Sequence, residues 1–154
     1  MATGEQRPRL ICRCLGVASP RVYAAVRAGR LATVAEITKA VRAGGGCGLC
    51  HPELEEVLAE LRGEPIDPAL ALENQAICRE ETHARVSAAI EALVRPRLRA
   101  LGVALTDYVV KGLVVRVALD AAHGEALAIV RAQLRGAVCP DLEVELLQPA
   151  GRVR

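Results

Sequence analysis

Apolar residues recur at helical spacing through the first third of the chain. Val22, Ala25 and Val26 share one face of an expected helix. Ser19-Pro20 opens it as N-cap and first helical position, and Gly29 ends it. Thr33 followed by Glu36 reads as a capping box, and Val34, Ile37 and Val41 carry a second helical stripe up to the glycines at 44, 45 and 46. Pro52 opens a third helix. Glu53, Glu55 and Glu56 lie in its first turn, where the helix dipole favours acids, and Val57, Leu58 and Leu61 form its apolar stripe. Gly63, Pro65 and Pro68 then interrupt the pattern, so 63–79 reads as a linker with at most one docked helical turn at 69–72.

A second periodic region follows. Val86, Ile90, Leu93, Val94, Leu98 and Leu101 describe an amphipathic helix, with Pro96 kinking it or starting a new turn. Residues 103–110 and 113–119 are rich in β-formers, and Lys111-Gly112 between them is a hairpin signal. Residues 125–135 read as a helix with Leu127, Val130 and Leu134 inward. Residues 142–147 read as a third strand, and order is expected to end at Pro149 and Gly151. The expected fold class is α+β: an all-α module over 1–62, the linker, and a small α-β-β-α-β module over 80–154.

Composition sharpens this picture. The chain holds 154 residues, and Tyr23 and Tyr108 are its only aromatics, so both cores must be built from Leu, Val, Ile and Ala. Scarce aromatics leave no platform on which bases could stack. Net charge is +2, but residues 1–50 hold eight Arg or Lys against two Glu. Such a basic stretch suits either nucleic acid or an anionic centre held within the protein. No apolar run is long enough to span a membrane, and the polar residues 1–9 do not form a signal peptide, so the protein reads as cytoplasmic.

Six cysteines in such a chain point to metal or redox chemistry rather than a disulfide framework. Four of them form two tight pairs: Cys12 and Cys14 as C-x-C, Cys47 and Cys50 as C-x-x-C inside a glycine-rich stretch. Thiols paired in this way usually hold a metal. Zinc in a closed tetrahedral site is one occupant, and a bare dithiol–disulfide couple at Cys47 and Cys50 is another use, although it leaves Cys12 and Cys14 unexplained. His51 could ligate a metal, donate to a sulfur, or simply open the helix at Pro52. His83 and His123 read as surface residues. Cys78 and Cys139 have no companion at ligand spacing and read as small hydrophobes or free thiols. The glycine run is not a phosphate loop, because no Gly-Lys-Ser/Thr follows it. Neither a nucleophile–base pairing nor a close carboxylate pair stands out, so enzymatic catalysis is not expected.

The two pairs, with Leu15-Gly16-Val17 after the first and Ile37-Thr38-Lys39-Ala40 before the glycines, resemble the bacterioferritin-associated ferredoxin family. They resemble more closely the central segment of the NifU family of nitrogen-fixation scaffold proteins. The resemblance runs over about 11–61. It implies a 2Fe–2S cluster on Cys12, Cys14, Cys47 and Cys50. Arg13, Arg21, Lys39 and Arg42 could offset the negative charge of such a centre, but each by itself reads more readily as part of a solvated helical face. The second half resembles the C-terminal domain of that family, through Val94-Arg95-Pro96-Arg97-Leu98, the hairpin, and the stretch from Val138 through Cys139-Pro140 to Val144.

One departure bears on function. The family carries a C-x-x-C pair after the second strand of that domain, where this chain has Asp120, Ala121, Ala122 and His123. The chain also starts only eleven residues before Cys12, so the family's N-terminal scaffold domain is expected to be missing as well. The implied role is support of iron–sulfur cluster assembly, tied to nitrogen fixation, by electron transfer or partner docking. The alternatives are a ferredoxin-like reductant for iron release from a bacterioferritin, and a zinc-stabilised interaction module. Expected partners are assembly or nitrogen-fixation proteins or a redox partner, with room for a homodimer and no role for nucleic acid or membrane.

Overall fold

The computed structural model describes residues 8–121 and 124–147. The expectations for residues 1–7, for Ala122 and His123, and for Pro149 and Gly151 lie outside them. The protein is α+β, and its packing divides it into two units, Met1–Thr82 and His83–Arg154.

The first unit is not all-α. It opens with an antiparallel ribbon, β1 (Leu10–Cys12) and β2 (Val17–Ala18), with Leu10 opposite Ala18 and Cys12 opposite Val17. Strands of three and two residues are too short to show alternation, so nothing in the apolar pattern marks them. Helix α1 (Ser19–Gly29) follows at once, with Ala18 rather than Ser19 as its N-cap. The Ser19 hydroxyl is engaged elsewhere, accepting the Arg9 N–H at 3.0 Å. Helix α2 (Val34–Val41) starts on a complete capping box: the Thr33 hydroxyl accepts the Glu36 N–H, and Glu36 reaches back to the Thr33 N–H. Arg42 ends α2 in the left-handed conformation, and α3 (His51–Arg62) begins after the glycine loop, with Cys50 at its N-cap. Ile11, Val17, Val22, Val26, Ile37, Leu54, Val57 and Leu58 form one core with Ala43, and the Cys12 and Cys50 side chains belong to it.

The stretch expected as a linker is helical from Pro68 onward. Helix α4 (Pro68–Ala89) is 22 residues long. Asp67 caps it, its side chain accepting the Ala69 N–H at 2.9 Å. Cys78 is buried, 3% exposed, as a small hydrophobe would be, but it lies on α4 rather than in a connector. Among the described residues no helix is long and apolar enough to cross a membrane.

In the second unit the end of α4 passes into a π-helical turn, Ile90–Val94, and then α5 (Arg95–Ala100). Pro96 has no N–H to offer Ala92, and the widened turn absorbs that loss by pairing the Arg95 N–H with the Ile90 carbonyl. The wider turn also rotates the apolar stripe. Ile90, Val94 and Leu98 stay buried, while Leu93 turns outward to 39% exposed, against expectation. Strands β3 (Leu105–Lys111) and β4 (Val114–Leu119) form an antiparallel hairpin that closes with Lys111 opposite Val114. Helix α6 (Gly124–Ala137) then returns the chain to β5 (Glu143–Leu146), parallel to β4, giving the order β3-β4-β5. Val115, Val117 and Val144 face the buried side with Val130 and Leu134 of α6, and Ala126 takes the inner place expected for Leu127.

Candidate metal centre

Cys12 ends β1 and Cys14 sits in the turn that leads to β2, so the ribbon delivers the first pair at its tip. The second pair comes from the other side. Cys47 is exposed within the glycine loop, and Cys50 is buried at the N-cap of α3. The four sulfurs run as a chain of contacts. Cys12 Sγ lies 3.8 Å from Cys14 Sγ, and Cys50 and Cys47 are near enough to shift the Cys12 and Cys14 thiols respectively. Among the described residues no group of three or more His, Cys, Asp or Glu side chains is arranged around a single metal ion.

Backbone donors surround these sulfurs. The N–H groups of Gly44 and Leu15 point at Cys12, Gly44 N–H also serves Cys50, and Cys47 N–H serves Cys14. The Cys50 hydrogen bond, helped by Gly44 and Leu15 and opposed by burial, pulls the Cys12 thiol down to about 5. Cys50 moves the other way, pushed up by the Cys12 hydrogen bond and by burial. Cys14 also lies above its ordinary value: the Cys47 N–H lowers it, but burial and the neighbouring thiols outweigh that.

The loop is shaped around these sulfurs. A Cβ on Gly46 would lie 2.6 Å from Cys14 Sγ, well inside contact, so only glycine allows the backbone this close. Gly44 takes a φ of 82°, and its carbonyl oxygen lies 2.9 Å from His51 Nε2, which donates to it. His51 thus opens α3 and ties the glycine loop to it. Arg21, Lys39 and Arg42 are exposed. Arg13 is the exception among these three arginines and one lysine: it is buried and bound to carboxylates.

This donor set fits a two-iron centre. Such a cluster takes two protein thiolates on each iron, and N–H donors to sulfur stabilise its negative charge. A run of four sulfurs with peptide N–H groups aimed at three of them meets both demands.

Residues 10–60 match the BFD-like 2Fe-2S binding domain, which makes the first unit an iron–sulfur cluster-binding module. The chain is 31% identical to the nitrogen fixation protein NifU of Leptolyngbya boryana, over 92% of this chain and 76% of that protein. It is 24% identical to NifU of Trichormus azollae over 92% of this chain and 54% of that one, and 38% identical to NifU of Azotobacter chroococcum mcd 1 over 39% and 19%. The chain belongs to the NifU family. It spans about three quarters of the first of these relatives, about half of the second and about a fifth of the third. No solved structure matches it.

Sequence reasoning missed one cluster beside this centre: Arg13, Glu53, Cys78 and Glu81. Arg13 reads from sequence as a solvated residue or a charge compensator and Glu53 as a partner of the helix dipole, but both are buried and paired with each other. A usable signal existed. Asp67-Pro68 repeats the cap-plus-proline signature read at Ser19-Pro20, and a helix from there puts Cys78 and Glu81 three residues apart on one face.

Proposed function

We propose that Cys12, Cys14, Cys47 and Cys50 together hold one 2Fe–2S cluster. Through it the protein serves iron–sulfur cluster assembly linked to nitrogen fixation, by single-electron transfer or by docking to an assembly partner. The observation that carries this reading is the meeting of four thiols from pairs thirty-two residues apart, with backbone N–H groups turned toward them. Bound there, the cluster supplies reversible one-electron redox chemistry. The chain's own contributions are distinct. The β1–β2 turn and the α3 N-cap present the ligands, the N–H donors offset negative charge, and the core at Ile11, Leu54 and Val57 keeps water from the inner sulfurs. No side chain acts as general acid, base or nucleophile. The shared name of the relatives supports the link to nitrogen fixation. The second unit, with Asp120 and Ala121 where the family pattern places cysteine, serves as a surface for a partner and holds no cluster.

Anaerobic reconstitution with iron and sulfide tests this. The expected product is red-brown and reducible, with about two irons per chain, and each of the four Cys→Ser variants loses it. A colourless protein that takes up one zinc per chain overturns the reading, as does a Cys12→Ser variant with an unchanged visible spectrum.

A further inference from the structure

Arg13 stands between two of the proposed ligands, yet its side chain turns inward and is only 6% exposed. Its Nη1 donates to the Ile11 carbonyl at 2.6 Å, to Glu53 Oε2 at 2.5 Å and to Cys78 Sγ at 3.1 Å. Two hydrogens are thus shared among three acceptors. Its Nε donates to Glu81 Oε2 at 2.5 Å. Glu53 is 3% exposed in the first turn of α3, three residues after Cys50, and Arg9 Nε faces its other oxygen at 3.9 Å. The Cys78 thiol lies 3.0 Å from the Leu10 carbonyl and 3.3 Å from Glu53 Oε2. One guanidinium therefore joins the strand that ends at Cys12, the helix that follows the second pair, and α4.

A buried ion pair is a poor source of stability, because desolvating both charges offsets most of their attraction. A hydrophobic plug would fill this space at least as well. What the pair adds is a fixed geometry and a charge. Burial pulls the Arg13 pKa down, but Cys78, Glu81 and Glu53 more than reverse this, so the guanidinium stays charged. Arg13 follows Cys12 and precedes Cys14, and its Nη1 holds the Ile11 carbonyl, so that charge lies beside the first cysteine pair.

We propose that Arg13 is a positioning residue of the cluster site: it sets the separation of the two cysteine pairs, and Glu81 on α4 trims the positive charge it presents to the cluster. This rests on the ligand assignment made above. Reduction adds one negative charge to the centre, so a nearby cation favours the reduced form and its counter-carboxylate opposes it. Removing the Glu81 charge leaves Arg13 less compensated and raises the midpoint potential. The Glu81 side chain is 36% exposed, so Glu81→Gln removes charge without leaving a buried ion alone.

The experiment measures the midpoint potential and the electron paramagnetic resonance spectrum of the reduced cluster, with thermal unfolding of each cluster-free variant alongside. Glu81→Gln is expected to raise the midpoint by as much as tenfold in the reduction equilibrium, about 59 mV for one electron, with a normal spectrum. Arg13→Lys keeps the charge but loses the planar fork, and is expected to shift the spectrum and speed cluster loss. Glu64→Gln, which breaks the exposed pair with Arg62, is the control and leaves the potential unchanged. An unchanged potential in Glu81→Gln, with only its unfolding temperature lowered, makes the network merely structural and overturns the proposal while the ligand assignment stands. If Arg13→Lys does not fold, the Glu81→Gln potential alone decides. A wild-type protein that takes up no cluster overturns both.

Discussion

Gly46→Ala separates the shape of the metal loop from the stability of the fold. The added Cβ would sit 2.6 Å from Cys14 Sγ, about 1 Å inside the 3.5–4.0 Å of ordinary contact. Gly46 is not among the residues with positive φ, so alanine introduces no left-handed backbone strain. In the cluster-free protein Cys14 can turn away about χ1, at about 0.5–1.5 kcal/mol if it leaves its rotamer well. For a unit of this size each 1 kcal/mol lowers Tm by about 4–8 °C. With the cluster bound Cys14 has no such freedom. Metal–ligand distances tolerate only about 0.2 Å, and the clash exceeds that several times over. The expected loss of cluster affinity is therefore at least the factor of about 10–100 known for changes just outside a metal's ligands. The assay pairs visible absorbance and iron content after reconstitution with thermal unfolding of the apoprotein by circular dichroism. Thr33→Ala is the opposite case: it removes the capping box of α2 and costs about 1 kcal/mol, yet leaves cluster content intact. Wild-type iron and spectrum in Gly46→Ala would refute the argument, since the loop would then have room that its backbone denies.

Four further outcomes are expected. Ile37→Ala, at a site that is fully buried in the first core, should lose about 2–5 kcal/mol by urea unfolding of the apoprotein. Glu36 is held below its ordinary 4.5 by the Ala32 and Thr33 N–H groups; a depressed carboxylate stabilises above its unfolded pKa, so this contribution disappears as pH falls through the folded value, and Glu36→Gln should flatten that part of the acid unfolding curve. Cys139→Ala should leave iron at about two per chain by colorimetric assay, because Cys139 is buried in the second unit, which supplies no ligand in the proposed site. Titrations with DNA and RNA should show no tight, steeply salt-dependent binding by the cluster-loaded protein; submicromolar affinity with a steep salt slope would mean that the basic first half serves a polyanion.

Local signals carried the reading where the physics is local. The capping box at Thr33 and Glu36, the hairpin at Lys111-Gly112 and the two cysteine pairs each depend on residues a few positions apart, and all are legible in the chain. The ribbon of β1 and β2 was not, since five residues cannot establish a period of two. The first part of helix α4 reads as a linker because Gly63, Pro65 and Pro68 look like one run of breakers, although Pro68 is the first residue of the helix. Leu93 was misplaced because periodicity assumes an unbroken α-helix, and the turn before Pro96 is wider. The cap at Asp67-Pro68 could have placed Cys78 and Glu81 on one helix face, but their meeting with Arg13 was invisible for a different reason. Its partners Glu53, Cys78 and Glu81 lie 40, 65 and 68 residues away, a separation that no pattern along a single chain reports.

The four proposed ligands do not share one environment. Cys12 and Cys50 are sealed in the core, Cys14 is half-buried, and Cys47 stands in the open. The site thus has a dry face and a wet face, and everything that reaches it must come by the wet one. An electron donor, a chelator and molecular oxygen would all use the same doorway at Cys47. A partner seated there to exchange an electron would at that moment exclude the other two, so recognition and protection become one event. The lifetime of the loaded protein in air should then lengthen whenever that edge is covered, and free protein in excess of its partner would be the fraction first lost to oxidation.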